Sequence, residues 1–538
     1  MNKKSVFSLV LTALLVGGAL LSGCSKSSSE GGAESKPAAG APSASGSAQP
    51  SASPAAQGGT LRIIASFDAT AIGYNPEIRS ISDFMISATA LEALGRYDRD
   101  AKLVPFLADS WQTDADAKTI TIKLKPGIKF TDGTDFNAAV VQWNLEQYRL
   151  SNKPVFNEKD TKSIEAVDDS TVRINLNTWD IGLLDAVLVI QMSSPSAFEK
   201  NGKEWATTHP VGTGPFVLDD WQKDVSVKFK KNENYWQKGM PYLDAVEWKI
   251  IGDPQTAEAA LQAKEADAYF GASPQAAKNL AGSFQVVNLE NGNGSAGPTI
   301  YIAGDDASSP WSNVKVRQAL SYAIDRQALV DSLNFGYGMP TNQYGIPGTW
   351  SYNDEVKIGY DPDKAKQLLS EAGYGNGFKT ELTFANGPDA VQLYTAVQAY
   401  LAKVGIDVQL VPVENAKFRE ISGAKGSWKG LLGYVFRVDT DPSFNMIRNF
   451  ASFGTNTRSS AHVAEFDDLL KQSRTVADFD AKKAATMTLQ KKAFDEYALA
   501  VPLYVNSALT IQSKQVHDAG MDTTYMVSWT PETAKLDK

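Results

Sequence analysis

The chain predicts an α/β protein built from more than one domain, and three observations lead there. From Gly58 onward the composition is that of a globular body, rich in aromatics and of mixed charge, and longer than one hydrophobic core usually supports. Around residues 391–410, Val391, Tyr394, Val397, Leu401 and Val404 fall at helical spacing, Gly405 stops the run, and Ile406, Val408 and Leu410 alternate. Helix, glycine and strand in immediate succession mark an α/β unit. Elsewhere strict period-two runs predict half-buried strands, notably residues 119–125 and the pair around 225–230 and 246–250.

The chain opens with Lys3 and Lys4, an apolar run from Val6 to Leu21, and Leu21-Ser22-Gly23-Cys24. A basic start, a hydrophobic stretch too short to span comfortably and small residues before the cut describe a secretory signal. Leu-Ser-Gly before cysteine resembles the bacterial lipobox, which implies a diacylated Cys24 as the mature N-terminus. A retained membrane anchor with a buried Cys24 is the alternative. Cys24 is the only cysteine, so no disulfide forms within one copy. Residues 25–57 are almost all Ser, Gly, Ala and Pro, too poor in apolar surface to fold, and predict a flexible tether of about 30 Å. No later apolar run approaches membrane-span length.

Leu61 and Ile63 read as the opening strand, followed by a loop from Asp68 to Ser82 that bends at Gly73, Tyr74, Asn75 and Pro76. Thr119 to Lys125 enters a Pro126-Gly127 turn and then a Thr131-Asp132-Gly133 turn, before Phe136-Asn137-Ala138 opens a helix carrying Val140, Val141, Trp143 and Asn144. Asp168-Asp169 turns into a strand over Thr171–Leu176. The acidic residues Asp132, Asp168 and Asp169 stand in turn sequence, which assigns them to structure. At Gly212, Gly214 and Pro215 the spacing predicts a tight turn with backbone conformations that other residues resist. Two antiparallel-type strands follow, separated by Asn232, Asn234, Tyr235 and Trp236 and by a Lys238–Pro241 turn.

Residues 289–300 are rich in Gly and Asn, and Tyr301 and Ile302 then predict a crossing strand. Val316, Leu320, Ala323 and Ile324 share one helical face, with Arg317 and Asp325 as salt-bridging or capping residues. The next helix is complete in its own sequence. Asp361 caps it, Pro362 occupies its first turn, and Gly373 ends it in the left-handed conformation.

Several of these stretches carry a resemblance. Val211-Gly212-Thr213-Gly214-Pro215-Phe216, Trp221 and Asn232-x-Asn234-Tyr235-Trp236 form one block. Leu91-Glu92-Ala93-Leu94 with Tyr97-Asp98, Pro105-x-Leu107-Ala108-x-Ser110-Trp111, the 119–134 strand and turns, the Trp311–Arg326 helix and Tyr360–Tyr374 supply the rest. Together they are similar to the bacterial solute-binding proteins of family 5, extracytoplasmic receptors of ATP-binding-cassette importers for dipeptides, oligopeptides and nickel chelates. The resemblance implies a type II periplasmic-binding-protein-like fold of cluster C, with two lobes joined by a two-strand hinge and an extra domain inserted in the first lobe. It divides the chain into a signal (1–23), a lipid-anchored linker (24–57), a first lobe (58–90, 210–300 and 506–538), an inserted domain (91–209) and a second lobe (301–505). Ala500-Val501-Pro502-Leu503-Tyr504 is similar to the family's return crossing, and the cleft between hinged lobes is where a ligand is trapped.

The resemblance also implies where the ligand sits. The 68–82 loop, with Tyr74 and Asn75, corresponds to the family's first binding-lobe loop; a polar turn is the competing reading. In peptide receptors the segment matching Gly430–Phe450 holds a strand whose backbone pairs with an extended ligand and ends in an Asp that takes its α-amino group. Aligned on Asp441-Pro442, this chain puts Val438 at that Asp and Arg437 at the preceding Ala, with Asp439 one position late. Asp439 binds an amine if it faces the cleft and is a solvated turn otherwise; Arg437 pairs with it or holds a carboxylate. Tyr434 and Phe436, at period two, stack on a ligand or pack the core. Asn342 and Tyr344 match a loop that borders the cleft in relatives. Asp441, before Pro442 and the pattern Phe444, Ile447, Arg448, reads as a helix N-cap.

Formal net charge is −9, which argues against nucleic acid and anionic lipid as partners. Catalytic patterns are thin. His209, His462 and His517 are scattered, Ser295 lacks the first Gly of a nucleophile elbow, and Ser312-x-x-Lys315 has no companion motif. A glycosidase carboxylate pair is open on spacing alone. The expectation is a monomeric receptor without cofactor or resident metal, held by the lipid on Cys24 at the outer face of the cell membrane and serving a permease and an ATPase. Its solute is a short peptide; a metal chelate, an opine, an oligosaccharide or a peptide sensed without transport are the alternatives.

Overall fold

The computed structural model describes residues 58–538 except 99, 152, 154, 155, 290–295, 424, 425, 438, 457, 458, 522–528 and 538. The signal, Cys24, the 25–57 linker, Ser295 and Val438 therefore lie outside the described residues.

A seven-stranded sheet runs in the order Phe216–Gln222, Ser226–Lys231, Ala245–Ile250, Thr60–Ala65, Ala268–Ala272, Ala508–Gln512, Gln285–Leu289. Ser226–Lys231 and Ala245–Ile250 pair antiparallel, as their alternation predicts, and bury Val227, Phe229, Val246 and Trp248. A third strand, Phe216–Gln222, joins them. The glycine turn ahead of it works differently from expectation. Neither Gly212 nor Gly214 has positive φ. What each requires is closeness: a Cβ on Gly212 would lie 2.2 Å from the Ala90 carbonyl oxygen, and one on Gly214 2.6 Å from the same peptide group. The Gly214 N–H donates to that oxygen at 3.0 Å.

The inserted domain carries a four-stranded antiparallel sheet, Ala108–Asp114, Thr119–Leu124, Thr171–Leu176 and Thr161–Asp168, whose inward face (Ile120, Ile122, Ile164, Val172, Ile174) packs on helix Ala138–Arg149. Glu92 ties this domain to the first sheet. Its carboxylate accepts from Tyr235 Oη at 2.6 Å, Thr213 Oγ1 at 2.7 Å and Trp236 Nε1 at 2.8 Å.

A five-stranded sheet, ordered Ile406–Val413, Phe378–Ala385, Leu431–Arg437, Ala296–Ile302, Ala500–Pro502, forms the second lobe. Helices Val314–Tyr322, Pro362–Glu371 and Pro388–Ala402 cover one face through Val316, Leu320, Leu369 and Val397. Local signals explain the middle helix: Asp361 accepts from Lys364 N at 2.8 Å, and Gly373 sits at φ +88°. Among the described residues Arg317 makes no ion pair. It donates instead to the Trp311, Ser312 and Tyr497 carbonyls, while Asp325 caps helix Arg326–Leu333 through Ala328 N.

Two strand connections join the lobes. Gln285–Leu289 belongs to the seven-stranded sheet and Ala296–Ile302 to the five-stranded one, so the crossing strand begins earlier than Tyr301. The return runs from Ala500–Pro502 to Ala508–Gln512. The outgoing and returning chains pair antiparallel on the second-lobe side (Ile300 with Val501) and on the first (Val287 with Thr510). Among the described residues no helix is long and apolar enough to cross a membrane.

Candidate functional site

In the second lobe, strands Phe378–Ala385, Ile406–Val413 and Leu431–Arg437 run parallel, so their carboxyl ends share one edge, the usual place for a ligand in an α/β sheet. Leu431–Arg437 pairs with Ala296–Ile302 along its whole length, but with Phe378–Ala385 only from Leu431 to Gly433. From Tyr434 onward one backbone edge has no strand beside it among the described residues. Side chains there alternate: Phe436 is 1 % exposed and Val435 is 55 % exposed. A strand with one open edge and outward residues at period two can receive an extended chain by main-chain pairing.

The strand ends in charge. Asp439 is half-buried, and its Oδ2 accepts from Asn445 Nδ2 at 2.7 Å. Arg437 Nε lies 3.8 Å from Asp439 Oδ1, with the arginine side chain 68 % exposed. Asn445 Nδ2 also donates to the Arg437 carbonyl at 2.6 Å, bracing the bend between them. Arg448 stands one turn along from Asn445 on helix Ser443–Phe450, on the same helical face. Burial raises the Asp439 pKa above the ordinary carboxylate value; Arg437 and Arg448 pull it back and Asp441 adds to the rise. A carboxylate held up by desolvation gains most from a further cation, such as a ligand ammonium.

Helix Ser443–Phe450 is preceded by Pro442, whose backbone is already helical, and Asp441 caps from one residue further back, accepting from Ser443 N at 3.0 Å and Ser443 Oγ at 2.6 Å. Its other oxygen faces Lys482 Nζ at 3.2 Å and Arg474 Nη1 at 3.4 Å. Burial raises its pKa, but these cations and Ser443 outweigh that, and the net direction is down.

The remaining sequence-predicted residues are not all brought to this strand end. Phe436 and Tyr344 stack at 4.8 Å inside an aromatic core with Phe450 and Phe494, and Tyr344 and Tyr301 share a 2.6 Å hydroxyl bond. Tyr434 is half-buried between Tyr301 and Phe418. Asn342 donates to the Val356 and Ile358 carbonyls, bracing its own loop. Tyr74 is packed on Phe198 and donates to Gln147; burial, then Glu77, pushes its pKa up to about 12. Asn75 is buried, and its Nδ2 has no hydrogen-bond partner among the described residues. No described contact joins Tyr74 or Asn75 to the 434–439 strand. Sequence reading passed over Asn445 as well as Arg474 and Lys482, whose roles arise only when distant helices meet the end of the strand.

The patterns weighed for chemistry are occupied otherwise. Lys315 Nζ bonds Glu371 at 2.9 Å, and Ser312 Oγ donates to the Ser309 carbonyl, so the pair does not converge. His209 stacks on Trp205, His517 bonds Asp537, and His462 faces the Phe450 carbonyl. Among the described residues no three His, Cys, Asp or Glu side chains cluster as a metal site.

Residues 102–457 match the sequence pattern of the bacterial extracellular solute-binding proteins, family 5 Middle. The chain is 38 % identical over 453 residues to the glutathione-binding protein GsiB of Shigella boydii serotype 4 (strain Sb227), covering 80 % of this chain and 86 % of that one. In fold it is similar to the substrate-binding protein CtaP of Listeria monocytogenes, with TM-score 0.76 at 22 % identity over 90 % of this chain and all of the other. DppA of Helicobacter pylori, solved with the peptide STSA, gives TM-score 0.66 at 23 % identity over 90 % and 99 %. At these identities the two solved structures speak to fold alone.

Proposed function

The chain belongs to the bacterial extracellular solute-binding proteins of family 5, and we propose that the solute it captures for an ATP-binding-cassette permease is a short peptide, glutathione-like tripeptides foremost. The open edge of the strand from Tyr434 to Arg437, ending at the Arg437–Asp439 pair, carries this reading. An extended ligand pairs with that edge, its ammonium at Asp439 and a carboxylate at Arg437. The γ-linked glutamyl head of glutathione bears both charges on one carbon, and the relatives that match over four-fifths of this chain are named for binding it. Tyr74 and Asn75 face the solute from the first lobe in this reading; Tyr344, Phe436 and Asn342 support the strand and its loop from within.

Titration of the purified protein with glutathione and with a neutral tripeptide, followed by calorimetry and tryptophan fluorescence, tests the proposal. Replacing one partner of a hydrogen-bonded charge pair costs about 2–5 kcal/mol, so Asp439→Asn should weaken glutathione at least about 30-fold. Unchanged affinity would remove Asp439 from the site.

Around this core the reading is of a receptor that leaves its solute chemically unaltered and acts as a monomer. Cys24 carries the lipid, and residues 25–57 tether the body to the outer face of the membrane. The segments 58–90, 210–300 and 506–538 make the first lobe, 91–209 the insertion and 301–505 the second lobe. Mass spectrometry of the mature N-terminal peptide checks the lipid, which Cys24→Ser abolishes.

A further inference from the structure

Where the inserted domain meets the second lobe, the contact is made by buried charge. Arg474, near the end of helix Ala464–Thr475, and Lys482, in the first turns of helix Phe479–Gln490, are both more than nine-tenths buried. Arg474 grips Asp180 of the inserted domain, with Nη2 at 2.7 and 2.8 Å from its two oxygens and Nε at 3.1 Å. Lys482 Nζ lies 2.8 Å from Asp185 Oδ2. Both cations also face Asp441, two residues beyond Asp439. The backbone follows: Ile181 N donates to the Arg474 carbonyl at 2.9 Å and Trp179 Nε1 to the Val476 carbonyl at 2.8 Å. At Gly182 a Cβ would fall 2.3 Å from the Arg474 guanidinium, so the fit depends on that glycine.

Connectivity gives this contact its meaning. The inserted domain is joined to the first lobe, through the chain and through Glu92, whereas the chain enters and leaves the second lobe by two crossings. Any parting of the lobes must pull Asp180 and Asp185 away from Arg474 and Lys482. On the second-lobe side, two cations and the single anion Asp441 leave net positive charge; the inserted domain brings two carboxylates to meet it. A cavity of about 370 Å³, lined by Trp111, Thr113, Asp185, Phe479 and Lys482 among others, lies in the same contact. Water therefore has a place beside the charges, with Val476 of the second lobe packed against the inserted domain's apolar core.

We propose that Asp180 and Asp185 are the inserted domain's half of a clasp that holds the lobes shut, giving that domain its task, and that Arg474 and Lys482 are the positioning residues of the other half. When the clasp engages, the cations are fixed between both sets of carboxylates and hold Asp441, which braces the turn ending the solute-binding strand. Domain docking and the placing of Asp439 are thereby one event. Only the link to solute release rests on the peptide reading above; the clasp itself does not.

Small-angle X-ray scattering of the purified full chain, without and with reduced glutathione, tests it against the double variant Asp180→Asn/Asp185→Asn. The expected result is a larger radius of gyration for the variant in both conditions and glutathione release accelerated about tenfold or more, with far-ultraviolet circular dichroism unchanged. Gly182→Ala, which displaces Arg474 without altering any charge, should give the same two effects and serves if the double variant folds poorly. Unaltered protein that fails to bind glutathione would refute the solute assignment, while the ligand-free scattering still decides the clasp. Scattering identical to the unaltered protein in both variants would overturn the clasp.

Discussion

Glu92 is a fully buried carboxyl group. Burial raises its pKa to about 7, against the pull of hydrogen bonds from Tyr235, Thr213 and Trp236, with Glu532 adding to the rise. A folded-state value above the unfolded one means that the native protein holds this proton more tightly. The stabilising contribution is complete below the unfolded value of 4.5 and is lost as pH climbs through about 7. A gap of that size corresponds to roughly 3 kcal/mol between pH 4 and pH 8. Urea unfolding across that range should show the decline, and Glu92→Gln, which copies the neutral acid, should flatten it. A slope of equal size in the variant would place the titration elsewhere.

At the scale of elements, the block from Val211 to Trp248 acts as a splice. Its glycines press on the Ala90 peptide, Asn232 Nδ2 donates to the Gly214 carbonyl at 2.9 Å, and Thr213, Tyr235 and Trp236 all hold Glu92. Gly214→Ala forces a methyl against backbone that has no freedom to yield, so overpacking should destabilise by about 1–3 kcal/mol, read from the shift of the urea midpoint. No change would show that Ala90 yields after all. Elements of this kind divide into those legible from the chain and those that are not. Helix Pro362–Glu371 was legible because its cap, its proline and its stop lie within a few residues of one another. The ion pairs of Asp441 left no trace in the sequence because the nearer of its two cation partners, Arg474, is 33 residues away, and Arg474 in turn meets Asp180 across 294. Period two placed Tyr434 and Phe436 on one face, yet an aromatic on a strand looks the same in sequence whether it meets a ligand or Tyr344. Asn445 gave no signal, since its task is to brace a bend that exists only in the folded chain.

On the scale of the whole molecule, capture requires that a solute touch both lobes, and this sets a demand that binding to a single lobe does not. The lobes are joined by the paired crossings, Ala296–Ile302 with Ala500–Pro502 and Gln285–Leu289 with Ala508–Gln512, so amides lining the cleft exchange with solvent whenever the lobes part. A solute bound across the gap must be released before that opening occurs, and at a concentration 100 times its dissociation constant the open state falls about 100-fold. Hydrogen exchange read by mass spectrometry with saturating glutathione should therefore slow on both sides together. In the second lobe the peptides covering 434–441 should be protected by up to that factor. The 68–82 loop of the first lobe should follow, although its helix is already braced at Ser80 and Asp83. Exchange in Asp180→Asn/Asp185→Asn should respond less, because the opened form is more populated from the start. Slowing confined to 434–441, with the first lobe indifferent, would mean that the solute rests on one lobe and that closure is not what retains it.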